Sequence, residues 1–122
     1  MIDVSAKTTT LRYARAEGRL LAPAEVLERV RAGTVPKGDV PATARAAGIA
    51  AAKRCSDWIV FCHPLTLDWV EVSVAVEEDS LRVTGEVRAL GRTGVEMEAI
   101  TAVTGALLNA YDMLKPLSTE LE

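Results

Sequence analysis

The stretch "WVEVSVAVEEDSLRVTGEVRAL", residues 69–90, alternates apolar and polar side chains on either side of a short acidic break. Val70, Val72, Val74 and Val76 fall on one side of an extended chain, and Glu71, Ser73 and Glu77 on the other. A period of two marks a half-buried strand. After a turn at Asp79 and Ser80, Leu81, Val83 and Val87 alternate with Arg82, Thr84, Glu86 and Arg88. The two runs therefore predict an antiparallel hairpin with one wet and one dry face. A dry face needs cover, and the rest of the chain is read for what supplies it.

Upstream, "LRYARAEGRLL" (11–21) turns Arg15, Glu17 and Arg19 one way and Ala14, Ala16, Gly18 and Leu20 the other, again at strand spacing, with Arg12 on the less charged side. "PAEVLERVRAG" (23–33) has Pro23 at a helix start, Glu25 in the first turn, a Val26, Leu27, Val30 stripe and Gly33 as terminator. Asp39 then caps an alanine-rich helix running from Val40 to about Ser56, whose small side chains let another backbone approach. The last helix spans Gly94 to about Lys115 and is stopped by Pro116; Thr93 and Glu96 have the spacing of a capping box at its start. The order strand, helix, helix, strand, strand, helix predicts an α+β fold. It is a ferredoxin-like antiparallel sheet with helices packed on one face, the closing C-terminal strand being absent from this chain. A neighbouring subunit is one way to cover that edge.

A length of 122 residues fits one domain, 1–122, and 49% hydrophobic against 25% charged residues is a globular balance. A net charge of −3 argues against duplex nucleic acid as a partner. No apolar run approaches the roughly 20 residues that cross a bilayer, and "MIDVSAKTTT" is no signal peptide, so a cytoplasmic protein without a membrane partner is expected. Cys55 and Cys62, seven apart, build no disulfide framework and are expected as reduced thiols. With His63 as the only histidine they fall short of a closed zinc set, and no metal site is expected.

Chemistry-bearing residues fall in four places. Within "VFCHPLT" (60–66), Pro64 holds His63 in extended geometry; the histidine is either a packed core residue or a ligand contact. Glu98, Thr101, Gly105, Asn109 and Asp112 form one polar stripe on the last helix, either its wet side or a site. Asp112 and Lys115, three apart, make either a weak surface ion pair or, in a dry pocket, a proton-transfer pair. In "PKGDV" (36–40), Lys37 and Gly38 precede a helix start that favours an anion, though without the pattern of a phosphate loop.

Six blocks, "MIDVSAK" (1–7), "KGDV" (37–40), "AGIAAAKR" (47–54), "FCHPL" (61–65), "TGVEMEA" (93–99) and "YDMLK" (111–115), together resemble the molybdenum cofactor biosynthesis protein C family, the cyclic pyranopterin monophosphate synthases. The resemblance covers almost the whole chain. It implies a ferredoxin-like fold, homohexamers assembled as trimers of dimers, and active sites at the dimer interface. It implies a small-molecule substrate derived from a purine nucleotide, cyclised dihydro-GTP, converted to cyclic pyranopterin monophosphate with release of diphosphate. No cofactor is implied beyond a Mg2+ ion that can accompany the triphosphate. Carried over by block, Asp112 becomes the acid–base residue, with Lys115 beside it and Lys37 as a further catalytic lysine. Phe61, Cys62, His63, Met97 and Glu98 become substrate contacts, and Arg12 and Lys53 candidates for the triphosphate. The family's usual "LCHP" is "FCHP" here, and family chains continue into a strand and a "GGKSG" tail, whereas this sequence ends at Glu122. That difference keeps an alternative open: a non-catalytic ferredoxin-like module for nucleotide binding or oligomerisation.

Overall fold

The computed structural model describes all of residues 1–122. Three strands, β1 (Thr10–Leu21), β2 (Trp69–Val76) and β3 (Ser80–Gly91), form an antiparallel sheet in the order β1-β3-β2. The hairpin pairs Val76 with Leu81, Val74 with Val83, Val72 with Gly85 and Val70 with Val87. Directly opposed residues share a face, so this register gathers the apolar side chains on one side of the sheet. β1 adds Leu20, Gly18, Ala16 and Ala14 to the same side, opposite Leu81, Val83, Gly85 and Val87. The wet face carries the charges: Arg82 binds Glu17 and Glu77, and the Arg88 guanidinium lies between the rings of Tyr13 and Trp69.

Two antiparallel helices, α2 (Val40–Lys53) and α4 (Glu96–Leu114), cover the dry face. The small residues of β1 exist to admit α4: a Cβ on Gly18 would lie 2.8 Å from Val103 and Leu107. The helices are equally close to each other, since a Cβ on Gly48 would meet the Ala102 carbonyl oxygen at 2.7 Å, and one on Gly105 the Ala51 Cβ at 2.6 Å. The first helix, α1 (Ala24–Ala32), seals one end by burying Val26, Leu27 and Val30 beside Leu20, Leu81 and Leu114. Each such leucine or valine contributes about 1.5–3 kcal/mol when fully buried. Gly33 stops α1 with φ 71°, a left-handed conformation that glycine adopts without a Cβ penalty.

The expected order of elements holds, with an α+β, ferredoxin-like sheet covered on one face. Three boundaries differ. The hairpin turns at Glu78 and Asp79 instead of Asp79 and Ser80, because Ser80 is the buried first residue of β3 and its main-chain oxygen accepts from Glu77. The second helix ends at Lys53 instead of Ser56, because Arg54 leaves helical geometry (φ −115°, ψ 20°) and a separate turn, α3 (Cys55–Trp58), follows. That break points Cys55 into the core. The capping box at Thr93 is not formed: Val95, buried, holds the N-cap position of α4 with no side-chain cap. The Glu96 carboxylate instead folds back over Gly94, into space that any Cβ there would fill. After α4, Lys115–Leu117 form a single 3-10 turn around Pro116.

Glu122 exchanges both backbone hydrogen bonds with Leu21, at 2.6 and 3.0 Å. It lies on the side of β1 away from β3, the position a closing strand takes in a sheet of this kind. No helix is long and apolar enough to cross a membrane.

Candidate active site at the two ends of the last helix

The antiparallel packing of α2 on α4 carries the loop before α2 to the C-terminal end of α4. Val35 and Val40, both buried, anchor that loop, and Gly38 turns it with φ 119°. Lys37 is thereby placed with its Nζ 3.2 Å from Asp112 Oδ2, also donating to the Asp112 main-chain oxygen at 3.2 Å. Lys115, one helical turn on, approaches Asp112 Oδ1 at 3.0 Å. One carboxylate thus has both oxygens occupied by ammonium groups. Hydrogen bonds from Lys115 and then Lys37 hold the Asp112 carboxyl below the usual carboxylate range. It is a proton acceptor at neutral pH, with two proton donors in contact. All three groups are about half exposed, and Leu108, Asn109 and Tyr111 line the adjoining open depression.

A second cluster lies at the N-terminal end of α4. The Glu98 side chain points inward and is only 3% exposed. The Cys62 thiol donates to Glu98 Oε2 at 3.5 Å and lies 3.7 Å from Cys55 Sγ, which in turn lies 3.4 Å from Thr101 Oγ1. Burial pushes the Glu98 carboxyl up. Burial, helped by the Cys55 contact and the Glu98 charge, pushes the Cys62 thiol up to about 12. His63 is half-buried and lines a cavity of about 460 Å³ with Phe61, Thr93 and the N-terminal residues Ile2, Val4 and Lys7. Phe61 stands 72% exposed at this cavity as apolar surface available to a ligand, and Met97, in the first turn of α4, is 37% exposed. Arg12 donates to the carbonyls of Gly91 and Arg92, at 3.4 Å each, beside the segment that leads to Thr93.

The fold therefore brings together Lys37, Asp112 and Lys115, and separately Phe61 with His63 at one cavity and Cys62 with Glu98 in a buried contact, with Arg12 beside the segment leading to that cavity; Met97 neighbours Glu98 along α4 with its side chain exposed. Lys53 joins neither: it is exposed at the end of α2, beside a shallow depression shared with Arg45 and Arg54. Glu98 and Asp112 are 14 residues apart on one helix, so the clusters are roughly 21 Å apart. The polar stripe is likewise divided, with Glu98, Thr101 and Gly105 buried and Asn109 and Asp112 exposed. Lys7 was not singled out by the sequence reading, although it lies inside one of the six blocks. Its isolation in a polar N-terminal stretch left no local pattern to mark it.

Compared with known proteins, the chain matches the MoaC family over residues 1–122. It is 52% identical over 115 residues to the cyclic pyranopterin monophosphate synthase of Streptomyces griseus subsp. griseus, covering 94% of this chain and 65% of that protein. It is 49% identical over 124 residues to the protein of the same name from Roseiflexus sp., covering 100% and 78%. The corresponding Deinococcus radiodurans protein is 48% identical over 122 residues, covering 100% and 73%. This chain thus spans between 65% and 78% of the length of these relatives. With a match along its full length and half its residues shared with several such proteins, the chain belongs to the MoaC family.

Proposed function

We propose that this chain converts (8S)-3',8-cyclo-7,8-dihydroguanosine 5'-triphosphate to cyclic pyranopterin monophosphate with release of diphosphate, an early step of molybdenum cofactor biosynthesis. Family membership supports the substrate, and the Lys37–Asp112–Lys115 contact is the observation that carries the chemistry. The reaction opens an imidazole ring, rebuilds a pyrazine, closes a cyclic phosphate and expels diphosphate. It therefore needs repeated proton transfers beside a concentrated positive charge. Asp112, ionised, takes protons from the rearranging rings; Lys115 and Lys37 return them and offset charge on the departing diphosphate.

At the other cluster, Glu98 accepts from the N–H edge of the guanine-derived ring, and burial makes that contact discriminating, since a missing partner leaves a buried polar group unpaired. Phe61 and Met97 pack on the ring faces, while His63 and Arg12 contact the phosphates and Lys53, outside both clusters, reaches them from an adjacent subunit. Both oxygens of Asp112 are taken by lysines, so a Mg2+ ion entering with the triphosphate would be held chiefly by phosphate oxygens.

A separation of roughly 21 Å exceeds what one small substrate bridges on one chain. We therefore place the complete site between subunits of a homohexamer built from dimers, one subunit giving the Asp112 cluster and its neighbour the Glu98 cluster. The reaction is placed in the cytoplasm, where a GTP-derived substrate arises. Incubating the chain with the cyclised dihydro-GTP tests the reading. Stoichiometric diphosphate and a pterin product are expected; tight binding with no diphosphate would contradict it and favour a non-catalytic nucleotide-binding module.

A further inference from the structure

Cys55, Cys62 and Glu98 come from three separate segments: the short turn after α2, the loop that follows it, and the first turn of α4. The break at Arg54 and the burial of Val95 bring their side chains to one point, where one ligand atom from each lies within 4.8 Å of the others. A tetrahedral ion with metal–sulfur bonds of about 2.3 Å and metal–oxygen bonds of about 2.1 Å has S···S edges of about 3.8 Å and S···O edges of about 3.6 Å. The corresponding distances here are 3.7 Å, Cys55 to Cys62, and 3.5 Å, Cys62 to Glu98. The third edge needs a carboxylate shift of at most about 1.2 Å, from 4.8 Å to the tetrahedral edge.

We infer that Cys55, Cys62 and Glu98 form a binding site for a thiophilic divalent cation of the zinc class, through two thiolates and one carboxylate oxygen, with one coordination position open. Soft sulfur ligands select zinc over magnesium or calcium. Binding replaces two S–H bonds by two metal–sulfur bonds and releases two protons to solvent, with no electron transfer. The ion also supplies the positive charge that three inward-facing acidic groups otherwise lack. A disulfide is the competing fate of the two thiols.

This inference goes beyond the proposed reaction and stands without it. Because Cys62 and Glu98 also serve that reaction, a bound ion would obstruct the substrate, so the test reads the metal itself. Titrating the full chain with Co2+ under a phosphine reductant should give a near-ultraviolet thiolate-to-cobalt band that saturates at one equivalent and is displaced by Zn2+. Cys55→Ser, Cys62→Ser and Glu98→Gln should each weaken Co2+ binding by about tenfold or more, on the scale of lost ligand-sphere contacts. His63→Ala should leave it unchanged, and far-ultraviolet circular dichroism checks that each variant is folded. Absence of the band would overturn the inference, as would a band that survives in the folded Cys55→Ser, Cys62→Ser double variant.

Discussion

Two carboxylates on α4 are driven in opposite directions by their surroundings. Asp112 is ionised between two ammonium groups at the surface, and Glu98 is turned into the interior where charge is disfavoured. Such divergence separates proton acceptors from hydrogen-bond readers. Asp112→Asn should lower diphosphate release by about 10²–10⁴-fold, the range for loss of a positioned acid–base group, while the melting temperature stays close to that of the parent. For Glu98 the sign follows from a folded-state pKa above the unfolded one. Its stabilising protonated form is fully present below about pH 4.3 and is lost as pH rises through the raised folded value. Glu98→Gln should therefore lose less stability than the parent as pH rises above about 4.3 in urea unfolding, by removing that linkage. Equal losses would show that Glu98 does not titrate differently on folding. The Asp112–Lys115 contact was legible from a spacing of three. The approach of Lys37 was not, because 75 residues separate it from Asp112 and only helix packing joins them.

The hairpin was legible as a pairing of two strands because every valine of β2 has to point one way. Its register was not, since a slip of two residues keeps those valines on the same face, and the turn falls at Glu78 and Asp79 instead of Asp79 and Ser80. The helix ends were less legible. Arg54 carries no breaker signature, and the buried Val95 outweighs the hydroxyl of Thr93 in setting where α4 begins. What alanine content did convey was close helix approach, and the glycines of that contact give it a test. Gly48→Ala would aim a Cβ at the Ala102 carbonyl oxygen, so α2 and α4 must separate. The strain should cost about 1–3 kcal/mol, offset in part by about 1 kcal/mol of helix propensity. It should appear as a lower urea midpoint with an unchanged m value. Leu81→Ala, in the centre of the same core, should cost about 2–5 kcal/mol by the same measurement.

At the scale of the whole molecule, the α+β class and the order of elements followed from counting strands and helices, whereas the sheet order β1-β3-β2 and the pairing of Glu122 with the outer edge of β1 came only from the structure. So did the division of the site. A polar stripe along one helix reads as a single face in sequence, and only the burial of Glu98 against the exposure of Asp112 shows two centres roughly 21 Å apart. Their convergence across a subunit boundary is the central claim, and subunit complementation tests it most directly. His63→Ala and Asp112→Asn chains, each inactive alone, should regain roughly a quarter of the parent's diphosphate release when co-assembled in equal amounts. Half of the dimers are then mixed, and each of those holds one intact site of two. Assemblies verified to contain both chains, yet as inactive as either alone, would contradict a site shared between subunits.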